Sequence, residues 1–123
     1  MPVYKTLNVQ TLNDVIRARM EVREAGRCMG LNTKDQALIS LATSSLTQAL
    51  LARGVDERGS TITIERLNGE KNEGLRVVCT FKDSNDGEPV ADLTQGVRWM
   101  VDDLNICDPV SGQVEVALIK WAT

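Results

Sequence analysis

Apolar positions recur along this chain with two different periods, and each change of period marks an element boundary. Residues 3–9 (VYKTLNV) are short and β-leaning and predict a first strand. Thr11 precedes Asp14 by three positions, a capping-box spacing that predicts a helix start. Leu12, Val15, Ile16 and Met20 then recur at helical spacing and predict the buried stripe of this first helix, which Gly30 closes as a C′ residue. Thr33 with Gln36 predicts a second capping box. The following helix carries Leu38, Ile39, Ala42, Leu46, Ala49 and Leu50 as its stripe and ends at Gly54.

Beyond a polar loop the period falls to two. Residues 60–67 (STITIERL) and 75–81 (LRVVCTF) predict a hairpin around the turn 68–74, which is rich in Gly and Asn. After the loop 82–89 a third helix is expected near residues 90–104, and residues 113–121 predict a last strand. The order β-α-α-β-β-α-β implies an α/β (α+β sandwich) fold, with one mixed four-stranded sheet and three helices on one face. No repeat or linker divides the 123 residues, so one domain over 1–123 is expected.

Composition narrows the function classes. A net charge of −3 argues against a general nucleic-acid binder. No apolar run approaches the roughly 18 residues of a membrane span and the N-terminus has no signal-peptide pattern, so a cytoplasmic protein is expected. Three scattered cysteines and no histidine predict reduced thiols and no metal site, and exclude Ser-His and Cys-His dyads. Arg17, Arg19, Arg23 and Arg27 alternate with Glu21 and Glu24, which predicts a solvated face of paired charges rather than a basic groove.

Three stretches in the same order resemble the anti-sigma-factor, or switch-protein, serine kinases of the GHKL (histidine-kinase-like ATPase) superfamily. Residues 12–46 resemble the two opening helices, including the arginine after an alanine (Ala18-Arg19) and the Thr-x-Asp-Gln start at 33–36. Residues 96–106 (GVRWMVDDLNI) resemble the end of the family's third helix. Residues 111–123 (SGQVEVALIKWAT) resemble its closing strand. The resemblance implies a Bergerat-like fold and an ATP-fed kinase that phosphorylates a serine on a STAS-domain antagonist. It also implies exchange with a sigma factor or phosphatase.

That chemistry needs a glutamate base and an asparagine for Mg²⁺ one turn apart on the second helix, an aspartate for adenine, and glycine-rich phosphate loops. Carried over, the base position falls on Ser45 and the metal position on Ala49, and neither side chain can do the work. Gln48 points about 100° away and is no substitute. The adenine position is Phe81 if the strand is read without a gap, which keeps Leu75, Val77, Cys79 and Phe81 on one strand face. Two extra residues would make it Asp83, in a loop where Asn85 and Gly87 also fall. Between Asp83 and Gly96 the chain is too short for the family's ATP lid.

The expectation is therefore a non-catalytic protein-interaction module with no cofactor, in a partner-switching pathway. The alternatives are a weak Mg·ATP-binding kinase using Asp83, Asp86 or Glu88, and a small-ligand sensor in the vacated pocket. Collapse of that pocket onto Phe81 is expected, since interiors rarely keep apolar voids. Trp99 stands where relatives tend to carry a basic residue. Partial burial is expected for it, with an exposed interface anchor as the other reading. Oligomeric state stays open.

Overall fold

The computed structural model describes residues 3–53, 59–82, 90–110 and 112–122. Strand β1 (Val3–Val9) leads into helices α1 (Leu12–Cys28) and α2 (Thr33–Arg53). The hairpin β2 (Ser60–Asn68) and β3 (Glu73–Lys82) follows, then a short helix α3 (Val90–Thr94) and a single 3-10 turn at Arg98–Met100. A second hairpin, β4 (Asp103–Val110) and β5 (Gln113–Trp121), completes the order. The strands form one five-stranded sheet in the order β1-β2-β3-β5-β4. Every pairing in it is antiparallel.

Two expectations fail here together. The sheet has five described strands rather than four and is antiparallel rather than mixed, because the long third helix does not form. Its place is taken by α3, the 3-10 turn and β4. Residues 103–107 read Asp-Leu-Asn-Ile-Cys, and Leu104 and Ile106 lie opposite Leu118 and Val116 of β5. That spacing of two puts both on one face of an edge strand, Leu104 buried and Ile106 40% exposed. Pro109 falls in β4 beside a register shift between Cys107 and Val110, which suits an edge strand.

The α1 cap forms as expected. The Asp14 carboxylate accepts from the N–H groups of Gln10 (2.9 Å) and Thr11 (3.1 Å), and Thr11 Oγ1 accepts from Asp14 N–H at 3.2 Å. The Gln10 N–H, foremost among these donors, holds the Asp14 carboxyl below the usual carboxylate range. At the far end Gly30 takes φ of 86°, the left-handed C′ conformation open to glycine. The second cap differs from expectation. Asn32, not Thr33, caps α2 by accepting from Asp35 N–H at 2.8 Å, while the Gln36 side chain donates to the Leu31 carbonyl. Gly54 lies outside the described residues.

The buried face of α1 is also not the one its large residues suggest. Val15, Ala18, Val22, Ala25 and Gly26 are buried, whereas Leu12, Ile16 and Met20 are 61%, 50% and 65% exposed. The cause is close packing. A Cβ added to Gly26 would meet Leu31 at 3.0 Å and Gln36 at 3.5 Å, so the helix joint accepts small side chains only. On α2, Ile39, Ala42, Leu46 and Leu50 enter the core as expected. Thr43 and Thr47 are buried as well, their hydroxyls donating to the Ile39 and Thr43 carbonyls at 2.8 Å. Back-bonding to the preceding turn satisfies those hydroxyls inside an apolar layer.

One face of the sheet supplies the rest of the core: Leu7 and Val9, Ile62 and Ile64, Leu75 to Phe81 in alternation, and Val114, Val116 and Leu118. Thr61, Thr63, Thr80 and Glu115 take the opposite parity and stay half-buried. Where the β2–β3 hairpin closes, Gly74 lets the Trp121 indole cross its backbone, since a Cβ there would sit 2.6 Å from the ring.

Candidate functional site

Ser45 and Ala49 lie one turn apart on α2, both half-buried at the margin of its exposed face, and Gln48 is exposed. A serine hydroxyl near neutral pH is no base, and a methyl group offers no oxygen to a metal. Phe81 ends the buried face of β3, 2% exposed, opposite Ser60 on β2 and Val114 on β5. β3 pairs on both sides without a register shift from Gly74 to Phe81, so the expected face of Leu75, Val77, Cys79 and Phe81 is real. Asp83, Asn85 and Gly87 lie outside the described residues, as do Asp86 and Glu88. Among the described residues, no group of three or more His, Cys, Asp or Glu side chains could hold a metal ion. No helix among them is long and apolar enough to cross a membrane.

Trp99 reverses its expectation. It stands in the 3-10 turn and is 69% exposed, because that turn packs Met100 inward and leaves the preceding side chain outside.

A cavity of about 370 Å³ opens between α1 and the start of β1, lined by Val3, Tyr4, Cys28, Met29 and Arg66. The register shift between Val3 and Lys5 explains it. With an extra residue in β1, Lys5 reaches α1, its Nζ lying 2.9 Å from Glu21, while Tyr4 lines the cavity with Cys28. Arg66 pairs with Leu75, at the opposite end of the hairpin from Phe81, so this cavity is not the position the resemblance gives to adenine.

One charged cluster was not anticipated. Lys120 and Asp35 are each 9% exposed, and Lys120 Nζ lies 3.5 Å from Asp35 Oδ1 and 3.5 Å from Asp102 Oδ1. Asp102 Oδ2 accepts from Trp121 N–H at 2.8 Å. The cluster ties the first turn of α2 to β5 and to the entrance of β4. A signal for it exists in the sequence. Lys120 shares strand parity with Val114, Val116 and Leu118, so it faces the core and requires a counter-charge.

The three thiols differ in availability. Cys28 and Cys107 are exposed and Cys79 is buried, where loss of solvation pushes its thiol up to about 12. Two thiols of the native protein are therefore expected to react promptly with a disulfide reagent, and the third only on unfolding. Because the folded state favours the neutral Cys79 thiol, its contribution to stability is complete below the ordinary thiol pKa and is lost as pH rises toward 12. Three equally fast thiols would contradict this.

Compared with protein-family models and with curated proteins, the chain matches none.

Proposed function

We propose that this chain is a non-catalytic protein-interaction module on the scaffold of the anti-sigma-factor serine kinases, a Bergerat-like arrangement that has lost its ATP lid and in which a turn and strand β4 replace the long third helix. The observation that carries the reading is Phe81. At the position the resemblance assigns to the adenine anchor, its ring belongs to the hydrophobic core and is 2% exposed. A purine cannot share that volume at native packing density. Ser45 and Ala49 add that the helix beside it offers neither a base nor a metal ligand. Phosphoryl transfer draws nearly all its rate from positioning and charge stabilisation, so these losses remove the reaction and leave the surface.

The surface left behind suits binding. Trp99 is an exposed aromatic of the kind that anchors protein interfaces. A STAS-like antagonist, a sigma factor or a phosphatase is the partner class the resemblance offers, in a cytoplasmic partner-switching pathway. Calorimetric titration with Mg·ATP and Mg·ADP up to a few millimolar is the test. No heat of binding is expected. A saturable isotherm lost on Asp83→Ala would replace this reading with the weak nucleotide-binding kinase.

A further inference from the structure

We infer that the outer face of α1 docks an acidic amphipathic helix of a partner protein, an inference that rests on reading the chain as an interaction module. Leu12, Ile16 and Met20 rise along this face one turn at a time and remain 61%, 50% and 65% exposed, while the opposite side of the helix is buried. Scattered exposed apolar residues need no explanation, but a row at i, i+4 and i+8 spans two turns of one helix face, the kind of apolar stripe a second helix packs against.

The charge around the row selects the occupant. Every acid of α1 is already engaged: Asp14 in the N-cap, Glu21 by Lys5 at 2.9 Å, and Glu24 by Arg27. Arg19 and Arg23 are exposed, each three residues beyond a member of the row, and neither forms an ion pair among the described residues. Arg17 is exposed on the other shoulder, its nearby charge also lowering the Asp14 pKa. A chain of net charge −3 thus sets two arginines, Arg19 and Arg23, without an ion pair among the described residues beside one apolar row. Carboxylates flanking an apolar seam complement it.

A second copy fits poorly, because a two-fold axis would set these arginines against themselves. An anionic bilayer fits poorly too, since three side chains are a shallow anchor for a protein of net negative charge.

The probe is a fluorescein-labelled synthetic helix of about five turns with leucine along one seam and glutamate on both flanks, beside the same peptide with lysine for glutamate. Titrated with the intact chain and read by anisotropy, the glutamate peptide is expected to bind and to weaken with added salt. Ile16→Glu and the Arg19→Glu/Arg23→Glu pair should each weaken it by roughly tenfold or more. The paired variant should also come to prefer the lysine peptide. All three substitutions are on exposed positions, and unchanged thermal melts would show that the fold is retained. Equal binding of both peptides, no saturation of either, or indifference to Ile16→Glu would overturn the inference. So would phosphatidylserine vesicles that sediment the wild-type chain but not the variants, or a concentration-dependent dimer that Ile16→Glu abolishes. Binding of Mg·ATP would overturn the non-catalytic reading while leaving the peptide result intact, so the two failures are distinguishable.

Discussion

Replacing Lys120 with alanine is expected to lower the unfolding free energy by about 3 kcal/mol or more, the cost of leaving buried charge without its partner. Lys120 and Asp35 are both 9% exposed, so loss of the ammonium strands the Asp35 carboxylate in a nearly dry site. Asp102 softens the effect, since its side chain is 41% exposed and water can take over part of its charge. Asp35 stands in the first turn of α2, where the helix dipole favours a negative charge but does not replace a counter-ion. The lysine stem also fills space beside the core, so Lys120→Met separates charge from packing. It should recover part of the loss, and Lys120→Met with Asp35→Asn should recover more. Urea denaturation of the three variants forms the measurement. A loss below about 1 kcal/mol for Lys120→Ala would mean that the cluster behaves as an ordinary surface pair.

The same lysine shows where the sequence was legible and where it was not. Strand parity alone marks Lys120 as inward-facing, a signal the strand prediction left unused, and its partners come from positions 35 and 102, which no local pattern connects. The hairpin 60–82 was readable because alternation and turn chemistry are both local. The caps were readable within one residue: Thr11 and Asp14 form the box, while Asn32 displaces Thr33 because its side chain can accept from Asp35 N–H.

Two larger differences concern which apolar residues are buried and in what element. On α1 the large residues were assigned inward, but close approach at the α1–α2 joint buries Ala18, Val22, Ala25 and Gly26 and turns Leu12, Ile16 and Met20 to solvent. Hydrophobicity ranks burial by transfer energy alone, and packing distance can outrank it. In residues 90–104 the expected third helix gives way to a short helix, a 3-10 turn and the start of a strand, although Val97, Met100, Val101 and Leu104 stand at helical spacing. All four are buried, but only Leu104 lies in β4, against Leu118. The arginines of α1 looked paired by spacing, yet of Glu21 and Glu24 only Glu24 bonds an arginine of that helix, because Lys5 reaches Glu21 from the bulged start of β1. The candidate site divides in the same way. Phe81 and its strand face followed from alternation, whereas the exposure of Trp99 depended on a 3-10 turn that its neighbours do not announce.

Phe81→Ala is expected to cost about 3–5 kcal/mol, because the removed ring leaves a cavity in the core layer on one face of a sheet whose strands are held at fixed spacing. Ser60 and Val114 face position 81 from either side in a register fixed by the whole length of β3, so the backbone has little freedom to fill the gap. With total stability of a domain this size at roughly 5–15 kcal/mol, that loss leaves the variant little reserve, and Phe81→Leu, costing about 1–2 kcal/mol, provides the folded comparison. The functional consequence separates two ideas about the pocket. If the ring occupies a former adenine slot, the cavity in Phe81→Ala should accept a small apolar aromatic such as indole, with a matching rise in melting temperature. Mg·ATP should still give no binding heat, because Ser45 and Ala49 leave phosphate and metal without a partner. A stability loss below about 1 kcal/mol would show that the core does not depend on this ring. ATP binding by the leucine or alanine variant would show that the ring alone had been excluding nucleotide, and that the rest of the site had kept its function.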